Sequence, residues 1–176
     1  MTTIHRMLRL ANRELETVRQ HSIREYPNEC CGILLGTQSH DSKQVTEAVP
    51  LRNLRVDPVR AQELLPLESD GESERNRFLI DPQDQIRVEK DARARGLEVV
   101  GYYHSHPDHP ARPSKYDRDH AWPWYSYVIV SVERGNPTAV TSWVLAEDRN
   151  DFRSEEIDLN WAGNAVAASN PLGNIG

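Results

Sequence analysis

Two histidines one residue apart, His104 and His106, close an apolar run, and Ser114 and Asp117 follow in the same stretch, "GYYHSHPDHPARPSKYDRDH". In an extended chain residues i and i+2 point to the same face, so the two imidazoles converge. Asp117 falls on the first turn of a short expected helix, from where it can fold back towards them. Two imidazoles and one carboxylate form a zinc donor set with the fourth tetrahedral position left for water, the arrangement of a catalytic rather than a structural site. A plainer reading stays open, with two ordinary histidines at a strand end and Ser-Lys-Tyr-Asp as a helix capping box, aspartate replacing the usual glutamate. Capping explains the serine and the aspartate but not the paired histidines.

Metal-assisted hydrolysis also needs a group that moves protons between water and leaving group, commonly a carboxylate beside the metal. "YPNECCGILLG" offers Glu29 at the mouth of an apolar strand; taken alone, it reads equally well as a solvated loop residue. Cys30 and Cys31, the only cysteines, follow it directly. Neighbouring cysteines rarely bond to each other, so no disulfide framework is expected. They read as small buried strand residues, because vicinal thiolates beside two histidines make a poor tetrahedral site. His109 and His120 are substitute ligand candidates.

The whole chain sets bounds on what these residues can serve. Its 176 residues suit one domain, and a net charge of −6 lacks the basic footprint that nucleic acid demands. No apolar run reaches the ~18 residues of a membrane span. The opening "MTTIHRMLRLANREL" carries charges where a secretory signal needs an unbroken apolar stretch, so a cytoplasmic protein is expected.

The elements that must position the chemistry follow from periodicity and punctuation. "TIHRMLRL" is a candidate first strand, and the spacing of Ala11, Leu15, Val18, Ser22 and Tyr26 predicts a helix that Pro27 closes. "CCGILLG" reads as a buried strand and "QVTEAVP" as its partner. Residues 55–77 mix prolines and dense charge without a period and read as a long loop. Asp81 and Pro82 open a helix over Pro82–Arg95 that Gly96 stops. "LEVVGYY" is a strand running into the histidines, and a short helix spans Ser114 to about Ala121. "YSYVIVSV" and "TAVTSWVL" form a hairpin across "ERGNP", and "EEIDLN" adds a short last strand. Helices between strands indicate an α/β fold with a mixed sheet. One domain over 1–161 and a disordered tail over 162–176 are expected.

Glu29 before a core strand, then His-x-His-Pro, six residues, Ser, two residues and Asp, resembles the pattern of the JAMM (MPN-plus) metalloproteases, prokaryotic single-domain branch, over roughly residues 5–150. The resemblance implies a curved mixed sheet packed with helices, similar to cytidine-deaminase architecture. It implies Zn²⁺ on His104, His106 and Asp117, Glu29 as proton shuttle, and Ser114 as hydrogen-bond donor to the oxyanion. It also implies an amide hydrolase acting after the Gly-Gly tail of a ubiquitin-like or sulfur-carrier protein. Residues 55–77 depart from the pattern in their length and charge, and a flap over the substrate groove is expected there. Two rivals are a non-catalytic module that binds ubiquitin-like partners and a deaminase-like zinc hydrolase. The second lacks its Pro-Cys-x-x-Cys ligand pair here. Oligomeric state stays open.

Overall fold

The computed structural model describes residues 7–56 and 78–162. In chain order these form β1 (Met7–Leu10), α1 (Asn12–Glu25), β2 (Cys31–Gln38), β3 (Ser42–Leu51), a 3₁₀ turn (Leu54–Val56), α2 (Pro82–Ala94), β4 (Glu98–Pro107), α3 (Lys115–His120), β5 (Ser126–Glu133), β6 (Asn136–Leu145) and β7 (Phe152–Asp158). Residues 55 and 56 of the expected long loop belong to the 3₁₀ turn. The rest of it, with the expected flap, and the tail from residue 163 onward lie outside the described residues.

The sheet is mixed, as expected, and it also closes. The strand order is β1-β3-β2-β4-β5-β6-β7, with β1 joined to both β3 and β7 in parallel. The β4–β5 pair is parallel and the other pairs are antiparallel. Strand twist accumulates across a sheet, and here the four-residue β1 bridges the two ends.

Each face of the central strands buries a different helix. Leu15 and Val18 of α1 pack with Leu8, Leu34, Tyr103 and Val128 on one side. Val88 and Ala92 of α2 pack on Ile33, Leu35 and Leu51 on the other. A strand buried on both faces cannot alternate apolar with polar residues, hence the unbroken "GILL" of β2. Gly32 is required in that run, since a Cβ there would lie 2.2 Å from the Tyr103 ring.

The punctuation acts where the sequence places it. The Asp81 carboxylate caps α2 by accepting from the Gln83 amide, Pro82 opens the helix, and Gly96 follows it at φ 73°. The β5–β6 hairpin is tighter than "ERGNP" suggested, because pairing continues through Glu133 and Asn136. That leaves Arg134 (φ 50°) and Gly135 (φ 84°) as a two-residue turn of the hand that suits twisted strands. The last strand, β7, starts earlier than "EEIDLN", at Phe152.

Candidate metal centre

β4 carries its histidines to the place where β2 begins. Cys31 pairs with His104, and Cys30 and Ser105 are tied by the Ser105 amide donating to the Cys30 carbonyl. Continuing that antiparallel register sets Glu29 opposite His106, on the face that His104 shares. The short helix α3 supplies the remaining carboxylate. Its first turn is a complete capping box, with the Asp117 amide donating to Ser114 Oγ and the Ser114 amide donating to Asp117 Oδ2 at 2.7 Å. The same carboxylate faces the histidines, with Oδ1 3.2 Å from His104 Nε2 and Oδ2 3.3 Å from His106 Nε2. Capping and a place beside the imidazoles are therefore not alternatives, because one side chain does both.

The polarity of these contacts bears on what the group can hold. The His106 Nδ1–H donates to the Pro110 carbonyl at 2.8 Å, since a carbonyl can only accept. A neutral ring so fixed turns the bare lone pair of Nε2 towards an Asp117 oxygen, which is another acceptor. His104 Nε2 approaches the same point, 3.1 Å from His106 Nε2. Zinc–ligand bonds of ~2.0–2.1 Å at a tetrahedral angle would set donor atoms ~3.3 Å apart, so these three separations fit a single small cation. Two imidazoles and a carboxylate are a donor set that suits a divalent first-row cation.

Glu29 stands beside this triad. One of its carboxylate oxygens and a nitrogen of each imidazole all lie within 4.8 Å of one another, so it too is in reach of a metal, but Asp117 makes the closer contacts. Glu29 is 3% exposed and its Oε2 has no hydrogen-bond partner. Burial first, then the charge of Asp117, pushes its pKa up to about 9, with Arg55 pulling the other way. In Asp117 burial also raises the pKa, but the positive charge that His104 carries when protonated and the hydrogen bond from the Ser114 amide outweigh it and hold the group well below the usual carboxylate range. Two neighbouring carboxyls are thus driven apart, and a cation held by the imidazoles would favour the ionised form of both.

A cleft of about 290 Å³ opens on Glu29, His106, His109, Arg112 and Ser114. A larger groove of about 610 Å³ along β6 and β7 shares Pro110 and Arg112 with it but includes none of the five expected site residues. Convergent polar groups, not volume, mark the functional cleft. Ser114 is exposed and its oxygen accepts from the Asp117 amide, so the hydroxyl proton can point into the cleft.

The remaining candidates fall outside the triad's contacts. His120 donates from Nδ1 to the Tyr116 carbonyl and stacks on the Tyr116 ring, while His109 lines the cleft wall. Cys30 and Cys31 are buried free thiols, as expected. Burial pushes Cys30 up to about 12 and Cys31 well above its ordinary value, so both stay protonated.

The supporting residues carry no motif of their own. Phe78 stacks on His104 at 4.7 Å between ring centroids, and the Asn53 amide donates to the Glu29 carbonyl at 3.0 Å. Neither position has a sequence signal. Ser105 was within reach of strand alternation, which turns it away from the histidines; there its Oγ accepts from the Cys30 amide at 2.8 Å.

The model of the family described as prokaryotic homologs of the JAB domain matches residues 12–146, more than half of the chain. The chain is a JAB-domain protein. This is the JAB/MPN family that the spacing of Glu29, His104, His106, Ser114 and Asp117 resembled. A desampylase of Haloferax volcanii is 33% identical over 126 residues, covering 71% of this chain and 77% of the relative. A probable TtuB-protein conjugate cleaving protease of Thermus thermophilus is 30% identical over 119 residues, covering 68% of this chain and 66% of that one. Among solved structures, the solution structure of a Desulfitobacterium hafniense protein superposes with a TM-score of 0.69 at 32% identity, covering 87% of this chain and 92% of that chain. The matched residues include Glu29, His104, His106, Ser114 and Asp117.

Proposed function

We propose that this JAB-domain protein is a zinc-dependent peptidase or isopeptidase that hydrolyses the amide bond after the C-terminal Gly-Gly tail of a ubiquitin-like or sulfur-carrier protein. The observation that carries the reading is the convergence of the His106 lone pair, the His104 ring and the Asp117 carboxylate on one point, with a buried carboxyl beside it, Glu29, whose Oε2 has no hydrogen-bond partner. His104, His106 and Asp117 would hold the metal. A zinc ion there would supply Lewis-acid polarisation of the scissile carbonyl and acidify a water towards neutral pH.

The chain's own residues do the rest. Glu29 takes a proton from the attacking water and delivers it to the amine nitrogen as the C–N bond breaks, returning to its starting state. Ser114 donates a hydrogen bond from its hydroxyl to the carbonyl oxygen as that oxygen gains charge. The Pro110 carbonyl and the Asp117 capping box keep His106 and the carboxylate in their orientations. A Gly-Gly tail has no side chains to exclude, so it can approach a sheet edge through main-chain hydrogen bonds. β1 covers β3 only as far as Val45, and among the described residues Thr46–Leu51 has no second strand partner.

The names of two relatives, a desampylase and a conjugate cleaving protease, support this substrate class. The two buried free thiols fit a reducing compartment, and we place the enzyme in the cytoplasm, with one catalytic domain over 1–161. Among the described residues no helix is long and apolar enough to cross a membrane.

The test is an isopeptide-linked conjugate of a Gly-Gly-ended carrier, incubated with protein whose zinc has been counted by elemental analysis. Release of a carrier ending in a free Gly-Gly carboxylate, stopped by a chelator and restored by zinc, is the expected result. One zinc per chain with no cleavage of peptide or isopeptide substrates would favour the binding-module reading.

A further inference from the structure

We infer that Asn53 is a positioning residue for the hydrolysis, acting through Glu29; this rests on the proton-shuttle role proposed for Glu29. Glu29 lies just before β2, beyond the last β2–β3 pair, Cys31 with Leu51, so no ladder bond reaches its carbonyl from β3. The Asn53 side chain, 5% exposed, stands in for that missing bond, with Nδ2 donating to the Glu29 carbonyl at 3.0 Å. Its Oδ1 meanwhile accepts from the amides of Arg55 at 3.1 Å and Leu79 at 3.0 Å. The Leu54 amide also donates to the Leu79 carbonyl at 2.9 Å, so the chain before residue 57 and the chain after residue 77 are tied together beside this side chain.

From Leu79 the contacts lead on to the rest of the site. Phe78, its neighbour, stacks on His104, and the Phe78 carbonyl accepts from the hydroxyl of Tyr116, the residue before Asp117. On the other side of Glu29, Ser105 Oγ accepts from the Cys30 amide. The backbone at residues 29 and 30 is therefore pinned from two directions, by Asn53 and by the strand that carries the histidines. An amide can donate from its nitrogen to a carbonyl while its oxygen accepts from two amides at once. A carboxylate that moves protons must hold its position to a fraction of an ångström, and a displacement of ~1 Å can cost ~10²-fold in rate.

Asn53→Asp isolates the donor. It keeps the size and the oxygen that accepts from Arg55 and Leu79, loses the proton given to the Glu29 carbonyl and adds a negative charge, so an uncharged variant is read beside it. Expected are wild-type zinc content, a KM within twofold, and a kcat reduced ~10–10²-fold. Asn53→Ala, which is uncharged and loses both halves of the amide, should cost at least as much kcat. In a Glu29→Gln background, read by single-turnover cleavage, Asn53→Asp should cost nothing further, because a residue acting through Glu29 is silent once the base is gone. An unimpaired Asn53→Asp beside a crippled Glu29→Gln overturns the inference alone, as does an equal loss in both backgrounds. Loss of zinc or of folding in both Asn53 variants makes the residue structural and also overturns it. Near-normal kcat in Glu29→Gln by itself overturns the parent reading and this inference with it.

Discussion

The two faces of β4 sit one residue apart in sequence and follow opposite rules. On the α1 face, Tyr103 is fully buried and its hydroxyl meets His21 Nδ1 at 2.8 Å, while Ser105 Oγ takes the Cys30 amide. Each of these polar groups has a partner of complementary kind. On the other face, His104 Nδ1 and Glu29 Oε2 are buried without partners, and the lone pair of His106 Nε2 looks at a carboxylate. Leaving a buried polar group unpaired costs ~1–3 kcal/mol, so a fold tolerates several in one place only where something else completes them. The difference teaches where to look for function. Both faces are buried and both carry histidine, and the difference between them lies in how completely their polar groups are satisfied.

If that contrast is sound, disturbing the unsatisfied face should change chemistry, and disturbing the satisfied face should change stability alone. The largest effect is expected from Asp117→Asn. An amide can still cap α3 but coordinates zinc poorly, so the protein should stay folded by circular dichroism, lose its zinc, and lose activity by ~10³-fold or more, several kcal/mol of Lewis-acid stabilisation at ~1.36 kcal/mol per tenfold. A folded, zinc-loaded and fully active variant would reduce Asp117 to a cap.

Glu29→Gln keeps the shape of the side chain and removes the base. Zinc and substrate binding should be retained while kcat falls ~10²–10⁴-fold. A change confined to KM would move Glu29 from proton transfer to substrate binding. Ser114→Ala should cost kcat ~10²–10³-fold with zinc in place, as for the loss of one oxyanion donor. Because Ser114 also caps α3, Ser114→Asn, which caps but presents a different donor, separates the roles: recovery of thermal stability without recovery of kcat is the expected outcome.

The smallest effect belongs to the satisfied face and is a matter of pH. Burial, and after it the charge of Arg24, pulls the His21 pKa down to about 4, against ~6.5 in an unfolded chain. Between these values the unfolded chain binds a proton that the folded one refuses. The stability linked to His21 is therefore complete above pH ~6.5 and is lost as pH falls towards 4, a total on the order of 2–3 kcal/mol. Urea unfolding of wild type and His21→Gln at pH 7 and pH 4.5 should show wild type losing more than the variant. Equal losses would mean that His21 titrates as it would in water.

Much of this was written in local sequence, for local reasons. Strand alternation alone turns His104 and His106 to one face and Tyr103 and Ser105 to the other. Asp81, Pro82 and Gly96 bound a helix through backbone rules that need no distant partner, and the structure obeys them. Ser114 and Asp117 form a capping box because they are three residues apart. The tertiary structure decided what depends on distance in space. The meeting of Glu29 with residues 75 and 77 positions further on follows from the β2–β4 register. The closure of the sheet depends on β1 reaching both β3 and β7. The use of Asn53 to hold Glu29, and of Phe78 to back His104, left no trace in any window of sequence, because an amide or a ring is like any other until the fold brings its partner within bonding distance.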